Sequence, residues 1–130
     1  MNTELNPRLQ KYIDEFNDDI KLTVQNLRDK SMMISSVRSK WIRYYFMEKT
    51  LCEKLKAAKT EYSKKLAKNV SSANMFPTVI PEADDGLTRL NTEIRNSEMC
   101  IEFIDKAFNV LDNFNFQIKN TIDIIKLENT

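Results

Sequence analysis

From Leu87 to Ile125 the chain returns to the same helical face at every third or fourth residue: Leu87, Leu90, Ile94, Ser97, Ile101, Ile104, Phe108, Leu111, Asn115, Ile118, Ile122 and Ile125. Alternating steps of three and four are the heptad signature of a helix packed lengthwise on another helix. A second stripe runs beside the first, through Cys100, Phe103, Ala107, Val110, Phe114 and Ile124. One partner helix covers one stripe, so two adjacent stripes call for contact with more than one helix. A hairpin partner takes the first. A neighbouring subunit is the expected partner of the second, which makes Cys100, Phe103, Ala107, Val110, Phe114 and Ile124 the expected oligomerisation residues. Asn115, polar on the seam, is placed to fix register or oligomer state.

The hairpin partner lies upstream, from about Val24 to Asn69, with the seam Ile34, Val37, Trp41, Tyr44, Glu48, Leu51, Leu55, Ala58 and Tyr62. Glu48 breaks this seam, and Tyr45 and Met47 beside it are expected to take over locally. Serines between Ser31 and Ser36 are weak helix formers and mark a candidate kink. Further upstream, Asn6-Pro7 reads as a helix start, since Asn caps and Pro at the first position loses no needed bond. Leu9, Ile13, Phe16 and Ile20 then recur at helical spacing, Asn17-Asp18-Asp19 ends the segment, and Thr23 is a candidate cap for the long helical region after it.

Asn69 to Pro81 reads as a loop, longer than most bundle connections. Its Met75, Phe76, Val79 and Ile80 are too apolar for a free linker and either fold back on the helices or contact a partner. One glycine and three prolines are too few for a many-stranded fold. The expected architecture is all-α: a short N-terminal helix over 1–22 and a long antiparallel helical hairpin over 23–130. The hairpin divides into a basic arm (23–69), a loop (70–81) and an acidic arm (82–130), with coiled-coil-like packing and oligomerisation through the last helix.

The chain has no histidine, which removes His-based acid–base catalysis and the commonest transition-metal ligand. No glycine-rich phosphate loop, ligand cluster or nucleophile–base spacing is present. Asp84-Asp85 reads as a dipole partner at a helix start rather than a catalytic pair. No enzyme activity and no cofactor are expected. Cys52 and Cys100 stand singly on helical patterns and read as reduced packing residues. With no long apolar run, neither a signal peptide nor a membrane span is expected, and the reading is a cytoplasmic protein.

A formal net charge of +1 hides a segregation. From Arg38 to Lys68 ten bases stand against only Glu48, Glu53 and Glu61, whereas from Glu82 onward ten acids face five bases. The basic segment carries Lys40, Arg43, Lys56, Lys59, Lys64, Lys65 and Lys68, interleaved with Trp41, Tyr44, Tyr45, Phe46 and Tyr62. Lysines and arginines attract phosphates without regard to sequence, and exposed aromatic faces stack unpaired bases. Trp41, Tyr44 and Tyr62 lie on the seam and read as core. Tyr45 and Phe46 lie off it and are open to either role. The seven basic residues are the expected contacts for a polyanion, and DNA is the one the resemblance below implies. A coiled-coil scaffold or adaptor without DNA binding is the alternative reading.

Several stretches resemble the UvsY family of bacteriophage recombination mediators. Asn26-Leu27 followed by Ser39-Lys40-Trp41 is similar to the start of the family's long helix. Leu55-Lys56-Ala57-Ala58-Lys59-Thr60-Glu61-Tyr62 resembles its basic stretch ending in an acid and a tyrosine. Ala83 to Asn91 (ADDGLTRLN) and Phe116-Gln117-Ile118-Lys119-Asn120 complete the likeness. Of the two basic residues the family tends to place before the acid–tyrosine pair, only Lys59 carries over, with Ala57 at the other position and Lys56 beside it. The glycine it tends to place after its tyrosines is missing, with Lys64 and Lys65 near there. The resemblance implies a non-enzymatic protein that binds single-stranded DNA as a ring-like homo-oligomer of helical hairpins. It also implies two protein partners in an infected bacterium, a phage RecA-type recombinase and the phage single-strand-binding protein, the first being loaded onto DNA coated by the second.

Overall fold

The computed structural model describes residues 6–23, 25–73 and 85–129, and for 69–73 their helical backbone alone. Among the described residues three helices make up the fold: α1 (Pro7–Asp19), α2 (Leu27–Ala73) and α3 (Asp85–Glu128). No strand occurs among the described residues. The fold is all-α, and α2 packs antiparallel against α3 as a helical hairpin.

The helix ends follow from local chemistry. Asn6 caps α1, its Oδ1 accepting from the Leu9 amide at 2.7 Å, with Pro7 at the first helical position. At the other end of α1, Lys30 Nζ donates to the carbonyls of Asp18 (2.9 Å) and Asp19 (3.1 Å), in the last turn where carbonyls lack a partner within the helix. Thr23 and Asn26 exchange bonds just ahead of α2: the Asn26 amide donates to Thr23 Oγ1 at 3.2 Å and the Thr23 amide to Asn26 Oδ1 at 2.7 Å. This reciprocal arrangement is that of a capping box. Helix α2 is continuous through Ser31–Ser36 and runs to Ala73, a turn past the expected end at Asn69. The remainder of the expected loop, with Met75, Phe76, Val79 and Ile80, lies outside the described residues.

The chain divides into two compact units, Met1–Phe46 with Cys100–Thr130, and Met47–Met99. In the first, α1 lies on both long helices. Leu9, Tyr12 and Phe16 of α1, Leu27 and Trp41 of α2, and Cys100, Ile104, Ala107, Leu111, Phe114 and Ile118 of α3 are all buried. Trp41, at 0% exposure, is the hub. Its ring meets Tyr44 (5.2 Å between centroids), Phe16 (5.3 Å), Tyr12 (5.9 Å) and Phe103 (6.3 Å), all within the range where edge-on aromatic pairs add to plain burial. Its indole Nε1 donates to Asp19 Oδ2 at 2.8 Å, so the one polar atom of the ring is satisfied.

Packing within the chain engages much of the second stripe. Phe103 packs edge-on against Phe16 of α1 at 5.8 Å, and the Cys100 thiol reaches Asn6 Oδ1 at 3.9 Å. Phe114 and Ile118 join Leu27, with Ile20, Leu22, Ile34, Ile122 and Ile125 around them. The helix that covers Cys100 and Phe103 is therefore α1 of the same chain. Ala107 is buried in that unit too. Of the six residues expected at a subunit interface, Val110 and Ile124 stay exposed.

The second unit is a two-helix packing of α2 on α3. Cys52, Leu87 and Ile94 are buried, and with them two polar residues, Glu48 and Ser97. Ser97 Oγ donates to the Glu48 carbonyl at 3.0 Å and lies 3.2 Å from Glu48 Oε1. Glu48 thus keeps its place in the seam at 3% exposure, while Met47, expected to replace it, is exposed. Tyr45 belongs to the other unit, where it packs on Phe108 at 5.9 Å. Both cysteines are buried, and neither forms a disulfide.

Candidate nucleic-acid interface

Helical spacing decides which basic side chains can act together. Positions three and four apart share a face, so Lys56, Lys59, Thr60, Ser63, Lys64 and Ala67 form one flank of α2. With Ile94 and Glu98 of α3 they line an open groove of about 680 Å³ within the 47–99 unit. Lys56 and Lys64 are exposed and Lys59 half-buried. The Lys56 and Lys59 ammonium groups carry no ion pair among the described residues, and Lys64 has one loose exposed contact, to Glu61 at 3.7 Å. Exposed pairs of this kind are worth little and open easily. The groove therefore presents three cations, two hydroxyl-bearing side chains and the Glu98 carboxylate beside the apolar Ala67 and Ile94. Such a surface suits the oxygens of a phosphodiester backbone.

The other expected contacts are placed differently. Lys65 and Lys68 are exposed on α2 but do not line the groove. Arg43 is exposed within the other unit. Lys40 is committed inside the chain: its Nζ pairs with Asp19 Oδ2 at 2.7 Å and Glu15 Oε2 at 3.1 Å, joining α2 to α1. Burial works against the charge of Lys40, but its hydrogen bonds to Asp19 and Glu15 and their negative charges outweigh that, and its pKa lies above the usual 10.5. The neighbouring Tyr44 phenol is also raised above 10.0, by burial and then by Glu15. Lys40 is thus an internal tie between α2 and α1.

The aromatics sort as their seam positions predict. Trp41 and Tyr44 belong to the aromatic cluster around α1, Tyr62 is half-buried, and Tyr45 packs between Phe46 and Phe108. Phe46, at 61% exposure, is the member of the set with a free face. Among the described residues no aromatic lines the groove. Sequence spacing missed the contribution of α3, because Ile94 and Glu98 join the lysines only when the hairpin closes.

Among the described residues no cluster of His, Cys, Asp or Glu could hold a metal ion, and no helix is long and apolar enough to cross a membrane.

Residues 15–130 match the family described as "Recombination, repair and ssDNA binding protein UvsY". Two solved structures share the fold, both of the bacteriophage T4 recombination mediator protein UvsY in different crystal lattices. One superposes with a TM-score of 0.80 at 19% identity, covering 93% of this chain and 98% of that one. The other has a TM-score of 0.76 at 18% identity, covering 95% and 98%. No curated protein matches the chain significantly in sequence.

Proposed function

Because the chain belongs to the UvsY family, we propose that it is a recombination mediator that binds single-stranded DNA through the basic flank of α2. The observation that carries this reading is the groove in which Lys56, Lys59 and Lys64 converge. Phosphate oxygens of a flexible strand follow the lysine heads, and the exposed Lys65 and Lys68 extend the positive field along the arm. The contacts are electrostatic and take no account of base identity, which suits a protein that must act wherever a break occurs.

In this reading the protein has no enzymatic activity. Its partners are a RecA-type recombinase and the single-strand-binding protein that coats the DNA, in the cytoplasm of an infected bacterium. Several copies in a ring present the groove repeatedly. Linked weak sites gain strength by effective concentration, so the strand is held tightly as a whole yet released one site at a time. That property lets a mediator loosen the coating protein and then yield to the recombinase.

Two assays test the reading. Anisotropy of a labelled single-stranded oligonucleotide should rise with added protein and fall back as salt is raised. Recombinase filament assembly on coated DNA should start sooner in the presence of the protein. Absence of binding at low salt would refute the DNA role, and unchanged assembly would refute the mediator role.

A further inference from the structure

Resting on the reading of the groove as a phosphate site, we propose that Glu98 sets how quickly the groove lets a strand go. Among the described residues the groove is lined by one carboxylate, supplied by α3, among the three lysines of α2. Some other acids pair with bases: Glu15 and Asp19 with Lys40, Glu61 loosely with Lys64, and Glu102 with Lys106 at 3.1 Å. Among the described residues Glu98 has no such partner, and neither do Lys56 and Lys59 beside it.

This arrangement has two consequences. Glu98 does not hold the ammonium groups, so the groove stays open to an incoming anion. Once a phosphodiester sits among the lysines, its charge and that of Glu98 share one groove. Like charges at this range repel, and salt weakens the repulsion only partly within a Debye length. The bound state is raised in energy relative to the same groove without the acid. Binding stays possible, and escape is faster. For a protein that passes a strand to another, a site tuned to release is more useful than a site tuned to hold.

Glutamine at this position keeps the shape and removes the charge. A change in overall charge acts mainly on association, whereas a charge in contact with the bound strand acts on dissociation. Glu93, exposed on α3 but not lining the groove, provides the matched control. Dissociation of a labelled single-stranded oligonucleotide is measured by stopped flow for wild type, Glu98→Gln, Glu93→Gln and the Lys56→Ala, Lys59→Ala, Lys64→Ala triple variant. Glu98→Gln should dissociate about two- to fivefold more slowly at low salt, with the gap narrowing as salt rises, and Glu93→Gln should dissociate like wild type. Dissociation of Glu98→Gln at the wild-type rate, or equal slowing in both glutamine variants, would overturn the proposal. If the triple variant loses binding in the same experiment, the groove reading survives that failure; if it binds as wild type does, the groove reading falls with it.

Discussion

Ser97 of α3 and Glu48 of α2 meet inside an otherwise apolar seam, the serine hydroxyl donating to the Glu48 carbonyl at 3.0 Å and lying 3.2 Å from its carboxylate. The pairing explains why an acid sits where a heptad asks for an apolar residue. A buried carboxylate without a donor is costly, and the helix opposite provides one from a side chain small enough to fit. The pairing also affects the surface. With Glu48 buried, the acids that the Arg38–Lys68 segment shows to solvent are Glu53 and Glu61, so the arm is more basic outside than its sequence suggests.

Ser97→Ala removes the hydroxyl shared by the Glu48 carbonyl and carboxylate, which should cost about 1–3 kcal/mol. Glu48→Leu removes the buried acid, and the remaining serine can still bond the backbone carbonyl. The double variant Glu48→Leu, Ser97→Ala should therefore recover wild-type stability or exceed it, as buried polar pairs replaced by apolar groups often do. Urea unfolding of the four proteins gives the coupling. Simple addition of the two single effects would contradict the pairing.

Trp41 is the sole tryptophan and the hub of the first unit. Its emission should be blue-shifted and resist quenching by acrylamide. Trp41→Ala should destabilise by about 3–5 kcal/mol, as loss of a large buried ring does. An emission spectrum centred where free tryptophan emits would contradict the packing of α1 on the hairpin.

Lys40 makes stability depend on alkaline pH. Lys40 and Tyr44 both hold their protons more tightly in the folded chain than at their ordinary values of 10.5 and 10.0. A raised folded pKa stabilises fully below the unfolded value, and that contribution is lost as pH rises through the folded one. Stability should be flat near neutrality and fall above pH 10. Lys40→Met should lose about 1–3 kcal/mol at pH 7, the range for hydrogen bonds to charged groups. Its deficit relative to wild type should shrink as the pH climbs past 10.5. A deficit that grows with pH would contradict the assignment.

Much of this architecture is legible in the sequence because heptad spacing and capping chemistry are local. Asn6-Pro7 and Thr23 mark helix starts by bonds to residues three away, and the seam from Leu87 to Ile125 needs only periodicity. The use of the second stripe is not local. Phe103 and Cys100 look the same in sequence whether a second subunit or α1 covers them, and only the path of the chain from Asp19 to Leu27 brings α1 back onto them. The same limit applies to the site. Lys56, Lys59 and Lys64 share a face by spacing, whereas Lys40 reads as one more exposed base until Glu15 and Asp19 arrive from another helix. Glu48 and Ser97 are each an apparent flaw in one seam, and their agreement exists only across two.

The central claim is that Lys56, Lys59 and Lys64 hold the phosphates of a single strand. The measurement that tests it most directly is the affinity for a single-stranded oligonucleotide as a function of salt, for wild type and for the Lys56→Ala, Lys59→Ala, Lys64→Ala variant. Each lost phosphate contact removes about 0.7 from the slope of log K against log salt on single strands, so the variant should bind more weakly with a slope shallower by about 2 for each chain engaged. An unchanged slope and affinity in a variant of wild-type helicity would contradict the account.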